Sequence, residues 1–394
     1  MSIVGIIAEF NPLHTGHKYL LSQAKRLGTV VCAISGNFVQ RGDTAIADKF
    51  IRARAALLSG ADVVVELPVL WSMSTAQNFA LGGVSALLAA GCDTLLFGSE
   101  CGDVEALQKT AEILESEEFS KGIEKHLKKG VTFAVARQLA AEELGALKGI
   151  LEGANNNLAI EYIIAAHRLG AEIQFKTVKR LGAGHDSREI DKFVSASLLR
   201  EKLRSGDREF CNKYMDRNIL ELFGEDSISD IGRIESALLS ILRLKDKNEL
   251  EALPDLSEGV ENKLYSAIRL ATDLDGLYNE IKVKRYTLSR IRRLVLSAVL
   301  GFDKEHFMMS LPYVRVLGFN TCGEEHIRNS IKSSAVPIIM RATEIEKLTG
   351  GAKKVFETED RASNLFNLSL KKPRECGTEY TTKLIKERDE NGNS

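Results

Sequence analysis

The sequence predicts an α/β protein whose first half forms a parallel sheet and whose second half is mostly helical. Two patterns support this prediction. Short apolar runs alternate with helical patterns in the first half, and helical patterns dominate from about residue 208 onwards. The composition, with 44% hydrophobic and 27% charged residues, is that of an ordinary globular protein.

The strands expected in the first half are apolar runs with the length and β-branched content of buried strands, at residues 3–8, 29–34, 62–67, 94–97 and 172–178. Helical patterns lie between them at residues 19–27, 49–58 and 79–90. A helical insertion is expected at residues 104–144, and a helix follows the fifth strand at residues 197–203. Alternation of strands and helices predicts a parallel sheet with right-handed crossovers.

The second half carries helical patterns at residues 233–244, 261–270 and 288–300. A short mixed segment follows, with strands expected at residues 313–319 and 335–339. A length of 394 residues corresponds to two or three domains at about 150 residues each. We predict two, with a boundary near residue 205: residues 1–205, and residues 206–394 as a mainly α-helical domain with a small α/β segment.

The charge balance is close to neutral, with 53 basic and 54 acidic residues, and this excludes a chain that is basic overall. A local basic face stays possible, because a total charge does not say where charges lie. The N-terminal segment has no basic start, and no uncharged apolar stretch reaches the ~18 residues that span a bilayer. Six widely spaced cysteines form no CxxC pair, which argues against disulfides or zinc. We expect a cytoplasmic protein with no membrane partner.

The strongest local signal is the segment from Glu9 to Tyr19, which follows the first strand and opens the first helix. It contains His14, Gly16 and His17 in an HxGH pattern. Ligands bind at the carboxyl edge of a parallel sheet, and helix N-termini there attract anions. A tight turn with two incidental histidines is the alternative interpretation. The sequence contains no GxxxxGK[ST] motif and no GxGxxG after the first strand, which disfavours P-loop and dinucleotide folds.

Polar clusters follow other strands at the same edge, at residues 35–43, 97–103 and 179–186. Each alone is typical of an ordinary loop, but together they bring donors for a polyphosphate to one rim. Ser195 and Ser197 precede a helix that carries Arg200. Either one of the serines is simply the N-cap of this helix, or the serines and Arg200 bind the leaving pyrophosphate. Three asparagines at residues 155–157 begin another helix, where capping accounts for only one of them.

These motifs resemble the two signatures of the HxGH nucleotidyltransferase superfamily, which implies a Rossmann-like catalytic domain. Longer strings resemble the bacterial tRNA(Met) cytidine acetate ligase family over nearly the whole chain. The strings in the first half are Glu9-Phe-Asn-Pro-Leu-His14-Thr-Gly-His17, Ser35-Gly-Asn-Phe-Val-Gln-Arg41-Gly42, Glu66-Leu-Pro68, Phe97-Gly-Ser-Glu100 and Lys179-Arg180. Those in the second half are Thr287-Leu-Ser289-Arg290-Ile-Arg292-Arg293 and Arg315-Val-Leu-Gly318-Phe-Asn320.

The resemblance implies an enzyme that makes acetyl-adenylate from ATP and acetate and then acetylates the wobble cytidine of elongator tRNA(Met). His14, His17 and Arg200 are the implied catalytic residues. The implied ATP-binding residues are Ile7, Ala8, Glu9, Phe10, Asn11, Pro12, Leu13, His14, Thr15, Gly16, His17, Lys18, Tyr19, Leu20, Gly102, Asn155, Asn156, Arg180, Ser195 and Ser197. Gly98 is an alternative to Gly102. Ala154 stands where the family pattern has proline, which leaves Asn155 and Asn156 as alternatives.

The chemistry of the implied reaction requires neutralisation of the ATP phosphates before acetate, an anion, can approach. His14 and His17 suit the α-phosphate, while Lys179, Arg180 and Arg200 suit the β- and γ-phosphates. Mg²⁺ is expected with the phosphates, although the sequence indicates no cluster of protein ligands for a metal. No residue is indicated as a base for the second step.

A basic segment in the second half is the expected tRNA contact. It contains no acidic residue, Tyr286 could stack on a base, and its cations are Lys282, Lys284, Arg285, Arg290, Arg292 and Arg293. A solvated helix face is the alternative interpretation of this segment. For the whole chain, the alternatives are a small-molecule adenylyltransferase and a non-catalytic RNA-binding protein with a vestigial nucleotide site. No obligate protein partner is evident.

Overall fold

The computed structural model describes residues 2–180, 194–257, 259–282 and 286–388. In these ranges, eight strands form one sheet in the order β10-β8-β5-β2-β1-β6-β7, with β9 paired to β8. A two-stranded hairpin, β3–β4, lies apart from it. The strands are β1 (Ser2–Ala8), β2 (Gly28–Ser35), β3 (Phe38–Val39), β4 (Asp43–Thr44), β5 (Val63–Leu67), β6 (Thr94–Ser99), β7 (Gln174–Lys179), β8 (Val314–Phe319), β9 (Ile338–Ile339) and β10 (Ile385–Lys386).

The five strands predicted in the first half are confirmed, and all run parallel to their neighbours among them. Side chains alternate between the two faces of the sheet, as they must in a strand. In β2, Val31 and Ala33 face one hydrophobic cluster, whereas Val30 and Cys32 face the other. Both faces are therefore covered by helices, which explains why these strands are continuous apolar runs.

Helices of the first half connect these strands. They are α1 (Thr15–Lys25), α2 (Lys49–Leu58), α3 (Val69–Ser72), α4 (Ala76–Ala89), α5 (Val104–Glu115), α6 (Glu117–Leu127), α7 (Phe133–Glu143), α8 (Ala154–Arg168) and α9 (Ala196–Ser205). The predicted insertion is the group α5–α7. No helix in the described ranges is long and apolar enough to cross a membrane.

The second half is mostly helical, as predicted. Its helices are α10 (Arg208–Cys211), α11 (Arg217–Leu222), α12 (Glu235–Arg243), α13 (Lys247–Glu251), α14 (Val260–Leu270), α15 (Leu274–Ile281), α16 (Leu288–Leu300), α17 (Lys304–Phe307), α18 (Thr321–Ser333), α19 (Ala342–Ile345), α20 (Gly350–Leu368) and α21 (Thr378–Thr381).

The small α/β segment of the second half joins the sheet of the first half. Strand β8 pairs antiparallel with β5, and β10 adds to the outer side of β8. One hydrophobic cluster likewise runs from Val65 in β5 to Leu264, Val295 and Phe366 in the second half. Sheet and core thus continue across residue 205, and the division of the chain there stays a prediction.

Candidate active site

A cavity of about 410 Å³ opens at the carboxyl ends of β1, β6 and β7, where the first turns of α1, α8 and α9 meet. This is the edge at which the HxGH segment was expected to lie. Residues from the loops after β1 and β7, from the β3–β4 hairpin and from α16 complete its walls. The cavity therefore gathers residues that are far apart in the chain.

The loop between β1 and α1 is held in one conformation by contacts with distant segments. Phe10 has a φ of 45°, a left-handed conformation that side chains other than glycine rarely adopt. The Asn11 side-chain Oδ1 accepts a hydrogen bond from the Ile46 N–H at 2.7 Å, and the Asn11 carbonyl accepts one from Arg200 Nη1 at 2.8 Å. Because non-glycine residues with positive φ concentrate at functional sites, this loop is a candidate for ligand contact.

His14 and His17 begin helix α1 and lie side by side. His14 is the N-cap residue, and its Nδ1 accepts a hydrogen bond from the Gly16 N–H at 3.1 Å. An Nδ1 that accepts carries no proton, so a neutral His14 holds its proton on Nε2. The two rings stack with centroids 4.0 Å apart, and Phe10 contacts His17 edge to face. Two imidazoles thus stand at the positive end of a helix dipole.

Two arginines bring positive charge to the opposite wall. Arg180 Nη1 donates a hydrogen bond to Asn155 Oδ1 at 2.9 Å, and Arg200 Nη2 donates to Ser197 Oγ at 3.0 Å. Burial lowers the pKa of both guanidinium groups, while Glu9 and Glu100 act in the opposite direction. Since arginine still carries its charge at neutral pH, the cavity offers oriented cations to an anion.

The three asparagines at the start of α8 have three different roles. Asn155 faces the cavity and bonds Arg180. Asn156 is buried, and its Oδ1 accepts the backbone N–H groups of Glu100 and Cys101 at 2.9 and 3.2 Å. Asn157 accepts a bond from Arg137 at 2.7 Å. The Glu100 carboxylate in turn accepts the backbone N–H groups of Asn155 and Asn156, and these bonds lower its pKa although burial acts to raise it.

Most of the predicted nucleotide residues line the cavity, and six do not. Those that line it are Ile7, Ala8, Glu9, Phe10, Asn11, His14, Gly16, His17, Tyr19, Leu20, Asn155, Arg180, Ser195, Ser197 and Arg200. Those outside the lining are Pro12, Leu13, Thr15, Lys18, Gly102 and Asn156. Gly98 lines the cavity, whereas a Cβ on Gly102 would meet Lys179 Cβ at 2.7 Å. Lys18 forms an ion pair with Asp216 instead.

Two kinds of residue in and around the site have no signal in the sequence. Phe79 and Tyr162 form an apolar side of the cavity together with Phe97, and these two cannot be told from core residues by pattern. Arg52 lies in the middle of an apolar helix, is fully buried, and donates bonds to the carbonyls of Glu9, Gly36 and Ala47. Burial lowers the pKa of Arg52 to about 10. This arginine ties the loops after β1 and β2 to each other.

The basic segment of the second half reaches the cavity through α16. Arg292 lines the cavity, and a Cβ on Gly42 would meet Arg292 Cβ and the Arg293 backbone nitrogen, both at 2.6 Å. Arg293 Nη1 also donates a bond to the Gln40 carbonyl at 2.9 Å. Helix α16 is therefore pressed against the β3–β4 hairpin at the rim.

The acid-free segment is partly neutralised by an acid from elsewhere. Asp255 lies 2.8 Å from Arg290 and 4.0 Å from Arg293. The suggestion that Tyr286 stacks on a base is wrong, because Tyr286 is buried and its hydroxyl accepts the Ser257 N–H at 2.7 Å. Lys282 is exposed, and Lys284 and Arg285 lie outside the described residues. His185, in the loop after β7, lies outside them as well.

Among the described residues, few carboxylates line the cavity. Glu9 and Asp43 are the acidic side chains of its lining. No group of three or more His, Cys, Asp or Glu side chains that could hold a metal ion occurs in the described ranges. The lining therefore offers mainly cationic donors, which suit phosphate oxygens rather than a bare metal ion.

Comparisons with known proteins agree with this geometry. Residues 1–380 match the model of the HIGH Nucleotidyl Transferase family. A tRNA(Met) cytidine acetate ligase from Thermoanaerobacter sp. (strain X514) is 38% identical over 402 residues, covering 98% of this chain and 100% of that protein. One from Thermosipho africanus (strain TCF52B) is 34% identical over 391 residues, covering 94% of this chain and 91% of that protein.

Solved structures extend the likeness to the whole fold. The apo crystal structure of Thermotoga maritima TmcAL matches with a TM-score of 0.90 at 31% identity, covering 99% of this chain and 100% of that one. The structure of the same protein bound with alpha-thio ATP matches with a TM-score of 0.89. The resemblance in the motifs is thereby confirmed. This chain belongs to the HIGH nucleotidyltransferase family and, within it, to the tRNA(Met) cytidine acetate ligases.

Proposed function

We propose that this protein activates acetate with ATP as acetyl-adenylate and transfers the acetyl group to the wobble cytidine of elongator tRNA(Met). The observation that carries this proposal is the cavity itself. It joins an HxGH helix start, two oriented arginines and the basic helix α16 in one place. A small-molecule adenylyltransferase would need the first two features only. A cytoplasmic location, where tRNA is found, follows from the proposed activity.

In the first step, an acetate oxygen attacks the α-phosphorus of ATP and pyrophosphate leaves. Both reactants are anions, so the rate depends on neutralising the phosphate oxygens and holding the reactants in line. The Nε2–H of His14 and the ring of His17, at the N-terminus of α1, suit the α-phosphate. Arg180, Arg200 and Lys179 suit the leaving pyrophosphate.

For ATP contacts, the geometry favours one member of each pair that the sequence left open. Asn155 lines the cavity and orients Arg180, whereas the side-chain oxygen of Asn156 already accepts two backbone N–H groups. Gly98 lines the cavity and lies against Arg180, whereas Gly102 packs on Lys179. We therefore assign ATP contacts to Asn155 and Gly98, and a supporting position to Asn156 and Gly102.

Mg²⁺ fits this site as a companion of the nucleotide rather than as a resident ion. Bound to the phosphates, it would neutralise part of their charge. The described part of the lining has no cluster of carboxylates to hold it, so ATP would supply most of its ligands. Glu9 and Asp43 are the acidic side chains available to bind its coordinated water.

In the second step, the N4 amine of cytidine attacks the acetyl carbon, the C–O bond to the phosphate breaks, and AMP leaves. The amine loses a proton to solvent. A mixed anhydride is intrinsically reactive, so positioning of the base and exclusion of water account for the protein's contribution. Among the described cations of the basic segment, Arg292 lines the cavity and is the one best placed to hold the tRNA near the adenylate.

The test is acetate-dependent exchange of pyrophosphate into ATP, followed by transfer of labelled acetate to bulk tRNA. We expect both activities in the native protein. His14→Ala and His17→Ala should each lose exchange while keeping tRNA affinity, because α1 is a nucleotide element. Exchange that survives in both variants would contradict the assigned roles.

The same assay separates the alternative functions. A small-molecule adenylyltransferase would show no dependence on acetate. A non-catalytic RNA-binding protein would bind tRNA but neither exchange pyrophosphate nor transfer label. If a tRNA in which uridine replaces the wobble cytidine is no longer labelled, that cytidine is the target base.

A further inference from the structure

Helices α6 and α7 form a helical hairpin whose connecting turn projects an unusual surface. We define the hairpin-tip surface as the side chains of Leu127–Val135, a segment that includes two adjacent lysines and a phenylalanine. From residue 125 to residue 141 the chain contains no aspartate or glutamate. The charge at the tip is therefore of one sign.

Apolar side chains at the tip lie in solvent rather than in the hairpin's own core. Phe133 is 61% exposed, and Val135 and Leu127 are 45% and 40% exposed. The core between the two helices is small and consists of Phe119, Ala140 and Ala141. An exposed aromatic ring leaves apolar surface in water, so such a residue in a cationic segment is a candidate for contact with a partner.

The two lysines of the tip differ from their neighbours on α6. Lys121 pairs with Glu117, and Lys125 pairs with Glu143. Lys128 and Lys129 are exposed and form no salt bridge within the part of the chain that the structure describes. At the C-terminus of α6 their positive charges interact favourably with the helix dipole. Their exposed ammonium groups are still available to a partner.

The hairpin is attached next to the candidate active site. Arg137, one turn after Phe133, donates a bond to Asn157 Oδ1 at 2.7 Å, and Gln138 Oε1 accepts the Leu151 N–H at 3.1 Å. Asn157 belongs to the first turn of α8, from which Asn155 and Leu158 line the cavity. Helix α7 therefore contacts the same first turn of α8 that supplies Asn155 to the cavity.

We propose that the hairpin-tip surface is a second contact site for the tRNA substrate, separate from the α16 segment. Phe133 stacks on an unpaired base, and Lys128 and Lys129 contact neighbouring phosphates. An exposed aromatic ring in the same segment as two exposed cations fits single-stranded RNA, because every base has a face for stacking and every nucleotide has a negative charge. The inference rests on the proposed function, since it names a further surface for that substrate.

The test uses two variants of the full-length protein, Phe133→Ala and the pair Lys128→Ala with Lys129→Ala. We expect acetate-dependent pyrophosphate exchange to stay at the native rate, because neither variant touches the cavity. The KM for tRNA in acetyl transfer should rise about 5- to 10-fold in each variant, as expected for a lost stacked base or two phosphate contacts. Phe133→Trp should restore the native KM.

Salt dependence distinguishes RNA contact from a structural effect. In the lysine variant, the slope of log affinity against log salt should fall by about 1 to 2, whereas Phe133→Ala should leave that slope unchanged. The controls are Leu244→Ala, a side chain that is 86% exposed, and Lys353→Ala with Lys354→Ala, an adjacent exposed pair on α20. These controls should keep both the KM and the slope.

Three outcomes would count against the inference. A native KM and native salt slope in both variants, with acetylation of tRNA by the native protein, would overturn it while leaving the proposed function intact. A changed oligomeric mass with an unchanged KM would assign the surface to a protein contact and overturn it too. Loss of exchange in the variants would contradict the separation of this surface from the cavity and would overturn the inference as well. A native protein that does not acetylate tRNA would instead overturn the proposed function.

Discussion

At the scale of single residues, neighbours in the sequence can serve different parts of the site. Asn155 points its amide at Arg180, and Asn156 closes the loop after β6 by binding two backbone N–H groups. The sequence predicts that a helix begins here and that the residues are polar. It cannot predict which amide turns outward, because that depends on where the loop after β6 passes.

The two asparagines therefore give opposite expectations when each is replaced by alanine. Asn156→Ala leaves two partly buried N–H groups without this acceptor and should lower the free energy of unfolding by about 1–3 kcal/mol. Asn155→Ala should change stability little, because its side chain lies at the cavity wall, but should raise the KM for ATP about 10-fold by releasing Arg180. Urea unfolding and exchange kinetics measure the two effects, and identical profiles for both variants would refute this assignment.

Tyr286 and the segment around it show what local composition leaves out. Tyr286 is a residue type that can stack on a base, but its ring is buried and its hydroxyl accepts a hydrogen bond from the Ser257 N–H. The segment around it contains no acid, yet Asp255 from another loop pairs with Arg290. Local composition describes what a residue offers, whereas the fold decides what it already contacts.

At the scale of elements, the contact between the β3–β4 hairpin and helix α16 joins the nucleotide cavity to the basic segment. Gly42 has a φ of 71° and lies so close to Arg292 and Arg293 that a Cβ would come within 2.6 Å of both. The hairpin was not predicted, because its strands have two residues each and follow a polar loop. A long strand leaves a periodic signal, and a two-residue strand leaves none.

We expect Gly42→Ala to destabilise the fold by more than the left-handed backbone conformation of Gly42 alone would cause. The substitution must strain the turn and also push α16 away, so the free energy of unfolding should fall by about 2–4 kcal/mol and the KM for tRNA should rise. Gly301→Ala is the matched control, since Gly301 has a φ of 74° and no atom within 4 Å of its added Cβ. Equal losses in thermal or urea unfolding would show that only the backbone angle matters.

At the scale of the whole molecule, a buried ionic cluster joins the two halves of the chain. Lys49 lies 2.7 Å from Glu379 and 3.1 Å from Glu359, and it also pairs with Glu66. Arg315 in β8 pairs with Glu379. Three carboxyl groups and two cations thus share one buried cluster. Burial and the Glu359 carboxylate raise the pKa of Glu66 to about 8, although Lys49 acts to lower it.

This cluster predicts a defined pH dependence of stability. The folded state keeps the Glu66 proton that the unfolded chain releases above its ordinary pKa of about 4.3, so rising pH favours unfolding up to about pH 8. Glu66→Gln should remove this contribution of about 1 kcal/mol per pH unit. The measurement is urea unfolding at several pH values between 5 and 8. Glu117→Gln, at an exposed side chain, should keep the native slope, and a native slope in Glu66→Gln would disprove the assignment.

The overall architecture was largely predictable, because the five parallel strands and most helices produce strong periodic patterns. The antiparallel pairing of β8 with β5 was not, since strand direction depends on the path of the chain between them. The same holds for Arg52, whose position in an apolar helix gives no sign of the three carbonyl groups that it binds. Pairings that join distant segments are decided by the fold.

The buried position of Lys49 also constrains how the protein is made. On the ribosome, helix α2 emerges early, yet Glu359 follows Lys49 by 310 residues, and Glu379 and the edge strand β10 come later still. Until they emerge, Lys49 has Glu66 alone of its three carboxylate partners, and β5 lacks the strand that covers it. A nascent chain therefore cannot complete its sheet before nearly all of it has been translated. A chain that ends before β8 would expose the edge of β5 and leave Lys49 without two of these partners.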